Sequence, residues 1–148
     1  CIGAGPVLAP ADVQRLADVG GRIVVAPNVN VEVIAAASAA GLAAAPGYFT
    51  PTEAFLALSA GARALKLFPA EAGSPALVKA QRAVLPPAVP VLVVGGITPD
   101  KMGAYLDAGA NGFGLGGALY QPGLSPDEVG RRARAFVAAL AQRAAGAA

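Results

Sequence analysis

Apolar residues along this chain fall into short runs separated by longer amphipathic segments. Strand-sized runs occupy 2–8, 22–26, 42–45, 64–68, 91–94 and 112–115. The alanine-rich segments between them repeat apolar positions at helical spacing, as in Val13, Leu16, Ala17 and again in Val31, Ile34, Ala35. Four of these helices run out at Gly20, Gly41, Gly61 and Gly109, where glycine suits the left-handed stop. Helix starts are as regular. Thr50-Pro51-Thr52-Glu53 and Ser125-Pro126-Asp127-Glu128 each read as a cap, a first-turn proline and a reciprocal glutamate. Ser74-Pro75 and Thr98-Pro99 lack the glutamate, and Ala9-Pro10 is a weaker version.

Strand and helix thus alternate six times at about 20–25 residues per unit, the rhythm of parallel βα units. A doubly wound open sheet fits this rhythm, and so does part of an eightfold barrel. A complete barrel of about 200–250 residues carries eight units. Six units, and a start at Cys1-Ile2-Gly3 inside an expected strand, favour a (β/α)8 barrel lacking its first two units, with 1–148 as one domain.

Composition narrows the chemistry. At 55% apolar and 14% charged residues, the 148 residues can bury a core. The longest weakly interrupted apolar stretch, 33–45, is too short to span a bilayer and closes at Pro46. A soluble, cytoplasmic protein with no membrane partner is expected. A net charge of +2 from scattered basic residues, with few aromatics, gives no stripe for nucleic acid. The single cysteine rules out a disulfide framework. There is no histidine, which removes the serine–histidine triad and nearly every transition-metal site, so neither metal nor cofactor is expected.

Against that background Ala64-Leu65-Lys66-Leu67-Phe68-Pro69 stands out. Alternation puts Ala64, Lys66 and Phe68 on one strand face and Leu65 and Leu67 on the other. A lysine held inside a doubly covered sheet is desolvated, which lowers its pKa and makes the amine a nucleophile toward a carbonyl. The plainer alternative is a lysine snorkelling out at a strand edge. Two strands also end in paired glycines, Gly95-Gly96 and Gly116-Gly117. Such pairs admit an anion close to backbone N–H groups, with a following helix adding its positive end. Two tight turns would need the same residues. The run Gly112-Phe113-Gly114-Leu115-Gly116-Gly117 satisfies the dinucleotide spacing but begins inside its strand and lacks the later ribose-binding acid.

These stretches resemble the class I aldolases that cleave 2-keto-3-deoxy-6-phospho sugar acids. Gly3-Ala4-Gly5, Ala26-Pro27-Asn28, Pro46-Gly47, the lysine strand, Gly95-Gly96-Ile97-Thr98 and Leu115-Gly116 match in order and spacing across essentially the whole chain. The resemblance implies a (β/α)8 barrel, a homotrimer, and a Schiff base between Lys66 and the substrate ketone. It also implies phosphate binding at Gly95, Gly96, Gly116 and Gly117, with Pro6 and Phe68 beside the substrate. Val94 resembles the 6-phosphogalactonate enzymes rather than the gluconate ones, which usually carry threonine there. A phosphorylated keto acid is therefore the expected ligand, cleaved to pyruvate and glyceraldehyde 3-phosphate. A phosphate-binding barrel of the thiamine-phosphate synthase sort shares the late Gly-Gly-Ile-Thr-Pro turn but needs no inward lysine. A phosphosugar-binding scaffold without activity is the non-enzymatic alternative.

Four features depart from the family. Its general base is a glutamate on the second strand, beside an arginine on the first that grips the substrate carboxylate, and neither strand is recognised here. Among the remaining acids only Glu71 falls in a loop, just past the lysine strand, as a candidate replacement. Pro6 stands where the family usually has threonine, and Gly117 replaces a common phosphate-binding serine. The isolated chain is therefore expected to catalyse poorly and to associate through open sheet edges.

Overall fold

The computed structural model describes residues 1–146, with side chains as far as Arg143. Its strands are β1 (Gly3–Ala4), β2 (Ile23–Val25), β3 (Ala43–Ala45), β4 (Gly47–Tyr48), β5 (Leu65–Leu67), β6 (Val91–Val94) and β7 (Gly112–Gly114). Every pairing is parallel and follows chain order, β1-β2-β3 in one ribbon and β4-β5-β6-β7 in the other. Helices α1 (Pro10–Asp18), α2 (Val31–Ala39), α3 (Pro51–Ser59), α4 (Pro75–Arg82), α5 (Pro99–Asp107) and α6 (Pro126–Gly146) make the crossovers and the final cover.

β3 and β4 are two halves of one barrel strand, parted by the buried Pro46. Proline has no N–H to continue a ladder on one side. Its carbonyl still accepts from the Lys66 N–H at 3.0 Å, and Ala44 O accepts from the Arg63 N–H at 3.0 Å. The two ribbons therefore form one arc of six parallel strands, matching the six expected units. The expected strand at 42–45 stops too early, because pairing resumes beyond the proline. The expected strand at 2–8 shrinks to Gly3–Ala4, since Pro6 again lacks a donor, although the Val7 N–H still reaches Val25 O at 2.9 Å.

Helix boundaries follow their local chemistry. All four glycine stops adopt positive φ: 79° at Gly20, 73° at Gly41, 102° at Gly61 and 99° at Gly109. The Thr50–Glu53 capping box forms in both directions, with Glu53 Oε2 accepting from the Thr50 N–H at 2.7 Å and the Phe49 N–H at 2.9 Å. Those hydrogen bonds hold the Glu53 carboxyl below its usual range. The box at Ser125 is only half made. Ser125 Oγ accepts from the Glu128 N–H at 3.2 Å, but the Glu128 carboxylate turns to Arg131 and Arg132, at 2.7 and 2.8 Å. Asn30, which the sequence pattern did not single out, caps α2 through Oδ1 to the Glu32 and Val33 N–H groups.

The core lies between the sheet and its helices. Leu65, Leu67 and Val93 are wholly buried on the outward face, against a helical layer that includes Val13, Ile34, Val78 and Met102. Burying each leucine is worth about 2 kcal/mol. Ala37, Ala54 and Ala57 are also fully buried, so the alanine richness of the sequence lets helix backbones approach the sheet closely. Two polar atoms in this layer have no partner among the described residues, Tyr48 Oη and Gln81 Oε1. Gln81 does donate through Nε2 to Phe49 O at 2.8 Å, tying α4 to the end of β4. Burial pushes the Tyr48 hydroxyl up to about 12. Among the described residues no helix is long and apolar enough to cross a membrane.

Candidate active site

Because side chains alternate along each strand, the residues opposite the helix-facing core all point into the hollow of the arc. This hollow is a cavity of ≈ 600 Å³. Val25 of β2, Ala45 of β3, Lys66 of β5, and Leu92 and Val94 of β6 form its wall. Gly5 and Pro6 after β1 close one side, and Gly114, Leu115 and Gly116 at the end of β7 close the other. Lys66 is the single charged residue lining it, in an otherwise apolar surface.

Register and packing fix that lysine. Its neighbours Leu65 and Leu67 are anchored in the outer core, and Lys66 pairs in register with Gly47 on one side and Leu92 on the other. Its Nζ reaches across the arc to donate to Ala26 O at 3.4 Å, a long hydrogen bond. The ammonium also lies 4.3 Å from the centre of the Phe68 ring, two residues on along the same strand face. Desolvation lowers the Lys66 pKa below 10.5, and no neighbouring carboxylate opposes that shift. The arrangement is an amine that loses its proton more readily than usual, beside enough volume for a small keto acid.

The other expected positions divide. Pro6 and Gly116 line the cavity with Lys66, while Gly95, Gly96 and Gly117 do not. Val94 pairs with Gly114, so the turns leaving β6 and β7 are adjacent at the same end of the arc. Gly95 and Gly96 adopt φ of 115° and 60°, a left-handed turn that itself requires glycine. A helix follows that pair directly, α5, but not the second pair. After Gly116 the chain makes a turn in which the Leu119 and Tyr120 N–H groups donate to Gly116 O, and α6 begins only at Pro126. No helix end therefore stands behind Gly117. Glu71 lies against the Gly95–Gly96 turn and is absent from the cavity wall, so it does not stand in for the missing base. Lys79 and Lys101 are exposed on their helices, and Lys101 Nζ donates to Gly96 O at 3.0 Å. The apolar wall residues Val25, Ala45 and Leu92 were not singled out from sequence, although their place in the strand alternation marks them.

A sequence model described as KDPG and KHG aldolase matches residues 1–129. The chain belongs to this aldolase family. It is 48% identical over 138 residues to 2-dehydro-3-deoxy-6-phosphogalactonate aldolase of Escherichia coli K12, covering 93% of this chain and 67% of that protein. It is 32% identical over 107 residues to the KHG/KDPG aldolase of the same organism, covering 71% of this chain and 49% of the relative. A solved structure described as native KDPGal superposes with a TM-score of 0.93 at 47% identity, over 95% of this chain and 68% of the other. The chain thus spans about two thirds of the length of the galactonate-type relatives, and its arc corresponds to part of a family barrel.

Proposed function

We propose that this chain carries the Schiff-base centre of a class I aldolase, acting on 2-dehydro-3-deoxy-6-phosphogalactonate, with the gluconate epimer as the lesser substrate. The observation that carries the reading is the desolvated Lys66 amine in the lumen of a family barrel. Neutral Lys66 adds to the C2 ketone, and loss of water leaves a cationic iminium. As the C4 hydroxyl gives up its proton and the C3–C4 bond breaks, the bond's electrons pass into the iminium and an enamine forms. Glyceraldehyde 3-phosphate leaves, C3 takes up a proton, and hydrolysis frees pyruvate and the amine.

No acidic residue lines the cavity among the described residues, so within this chain the proton transfers fall to water. Turnover by the 148-residue chain is then reduced by about 10²–10⁴ relative to an enzyme with a positioned base. Val94 on the cavity wall, and the higher identity to the galactonate-type relative, support that substrate over the gluconate epimer. A homotrimer in the cytoplasm is the corresponding assembly and location.

Borohydride trapping tests the reading directly. The chain is incubated with pyruvate, reduced, and mapped by peptide mass. The expected adduct is on Lys66 alone. A label on Lys79 or Lys101 with Lys66 untouched overturns the assignment.

A further inference from the structure

Gly47 is not among the glycines with a left-handed backbone, so its missing side chain answers to space rather than to conformation. A Cβ there would overlap the Pro27 carbonyl carbon and oxygen and lie 3.0 Å from Ala26 O. These are backbone atoms of the segment leaving β2, and backbone gives way less easily than the tip of a side chain. Gly47 is also the register partner of Lys66. The Ala26 carbonyl comes just after the last β2–β3 pair, Val25 with Ala45, and among the described residues no backbone N–H donates to it. Its donor there is Lys66 Nζ, at 3.4 Å. Among the described residues no other charged or titratable side chain lines the cavity, so this carbonyl and the Phe68 ring are what hold the amine.

We infer that Gly47 is a positioning residue for the Lys66 amine, admitting by its lack of a side chain the Ala26 carbonyl that aims Nζ. The inference rests on the aldolase reading only in taking that amine as the nucleophile. A ring face attracts the charge as a whole, whereas a carbonyl takes one N–H along a preferred line. The neutral amine, a ketone and one proton give an iminium and a water, and the iminium nitrogen keeps one N–H. Donated to Ala26 O, that N–H orients the iminium in a lumen where no carboxylate among the described residues does so.

The test compares the parent chain with Gly47→Ala, Ala26→Gly and Gly21→Ala. The first pushes the carbonyl away, and the second loosens the same backbone without adding bulk. In the third a Cβ overlaps Leu16 as deeply, but ahead of β2 and at its opposite end. The readouts are an NMR titration of isotope-labelled lysine side chains and the lifetime of the pyruvate adduct, followed by timed borohydride capture after dilution. A carbonyl accepting from the ammonium favours the charged form, so its loss moves the Lys66 titration to lower pH. Gly47→Ala and Ala26→Gly are both expected to show that move and to shed the adduct about threefold faster. Lys79 and Lys101 should titrate as before in every variant, and Gly21→Ala should match the parent. If Gly47→Ala does not fold, Ala26→Gly decides alone. A Lys66 titration that stays put or moves upward in the folded variants, or an equal move in Gly21→Ala, overturns the inference. A downward move with no adduct in the parent chain removes the aldolase reading and leaves Gly47 positioning the amine; an adduct with no move does the reverse.

Discussion

On the helix-facing side of the sheet Leu65, Leu67 and Val93 have no exposed surface, whereas Lys66, Leu92 and Val94 on the same strands remain half-buried. The difference follows from how each face is covered. Each βα unit brings its own helix, so the outer core is completed by near neighbours in sequence. The lumen is completed only by strands from all around a ring, and this arc supplies six where a barrel has about eight. Stability is thus concentrated outside the sheet and reactivity inside it, on alternate residues of the same strands.

The sharpest way to break this division is Lys66→Met. The pyruvate adduct is expected to vanish entirely, while the thermal midpoint stays the same or rises because a partly desolvated cation has been removed. A large fall in the midpoint would show that the lumen carries structural weight. Next in size, Leu67→Ala should destabilise by about 2–5 kcal/mol in denaturant unfolding, as expected for a fully buried leucine. Leu92→Ala, on the half-exposed wall, should lose only about 1 kcal/mol. Equal losses would mean that the lumen is packed as tightly as the outer core, for instance by self-association across the edges at β1 and β7. Size-exclusion chromatography of the same proteins checks that, and association through those edges is the expected result.

A smaller effect concerns pH. The folded-state pKa of Lys66 lies below 10.5, so the folded chain binds fewer protons there than the unfolded chain. Stability contributed by this group is therefore lowest when it is protonated, and rises with pH between its folded value and 10.5. The trapping rate should rise with pH through a midpoint below 10.5, and a midpoint at or above that value would place the amine in open water. Smallest of all, Tyr48→Phe removes a buried hydroxyl without a partner among the described residues. It should leave stability unchanged or raise it by about 1 kcal/mol, measured by chemical unfolding.

What could be read from sequence was local. The glycine helix stops, the Thr50–Glu53 box and the inward face of Lys66 each depend on residues within a few positions of one another. The continuation of β3 beyond Pro46 could not be read that way, because a proline ends a strand by its own chemistry and only the Lys66 N–H across the sheet shows pairing resumed. Glu71 was singled out as a candidate base, and its actual place escaped for the same reason. Its loop position is visible in the chain, but its contact with two glycines more than twenty positions away depends on β6 lying beside β5. The second glycine pair misled by analogy with the first. Both leave parallel strands, but only Gly95–Gly96 leads directly into a helix.

The ring of Phe68 under the Lys66 ammonium has a bearing on the order of events in the lumen. An aromatic face favours a cation over a neutral amine, so it partly offsets the desolvation that frees the nucleophile. The positive charge does not leave when the amine condenses with a ketone, since the iminium carries it too. One ring thus slows the first encounter slightly and steadies the adduct that follows, so replacing Phe68 with leucine should make the adduct form at lower pH and fall apart sooner.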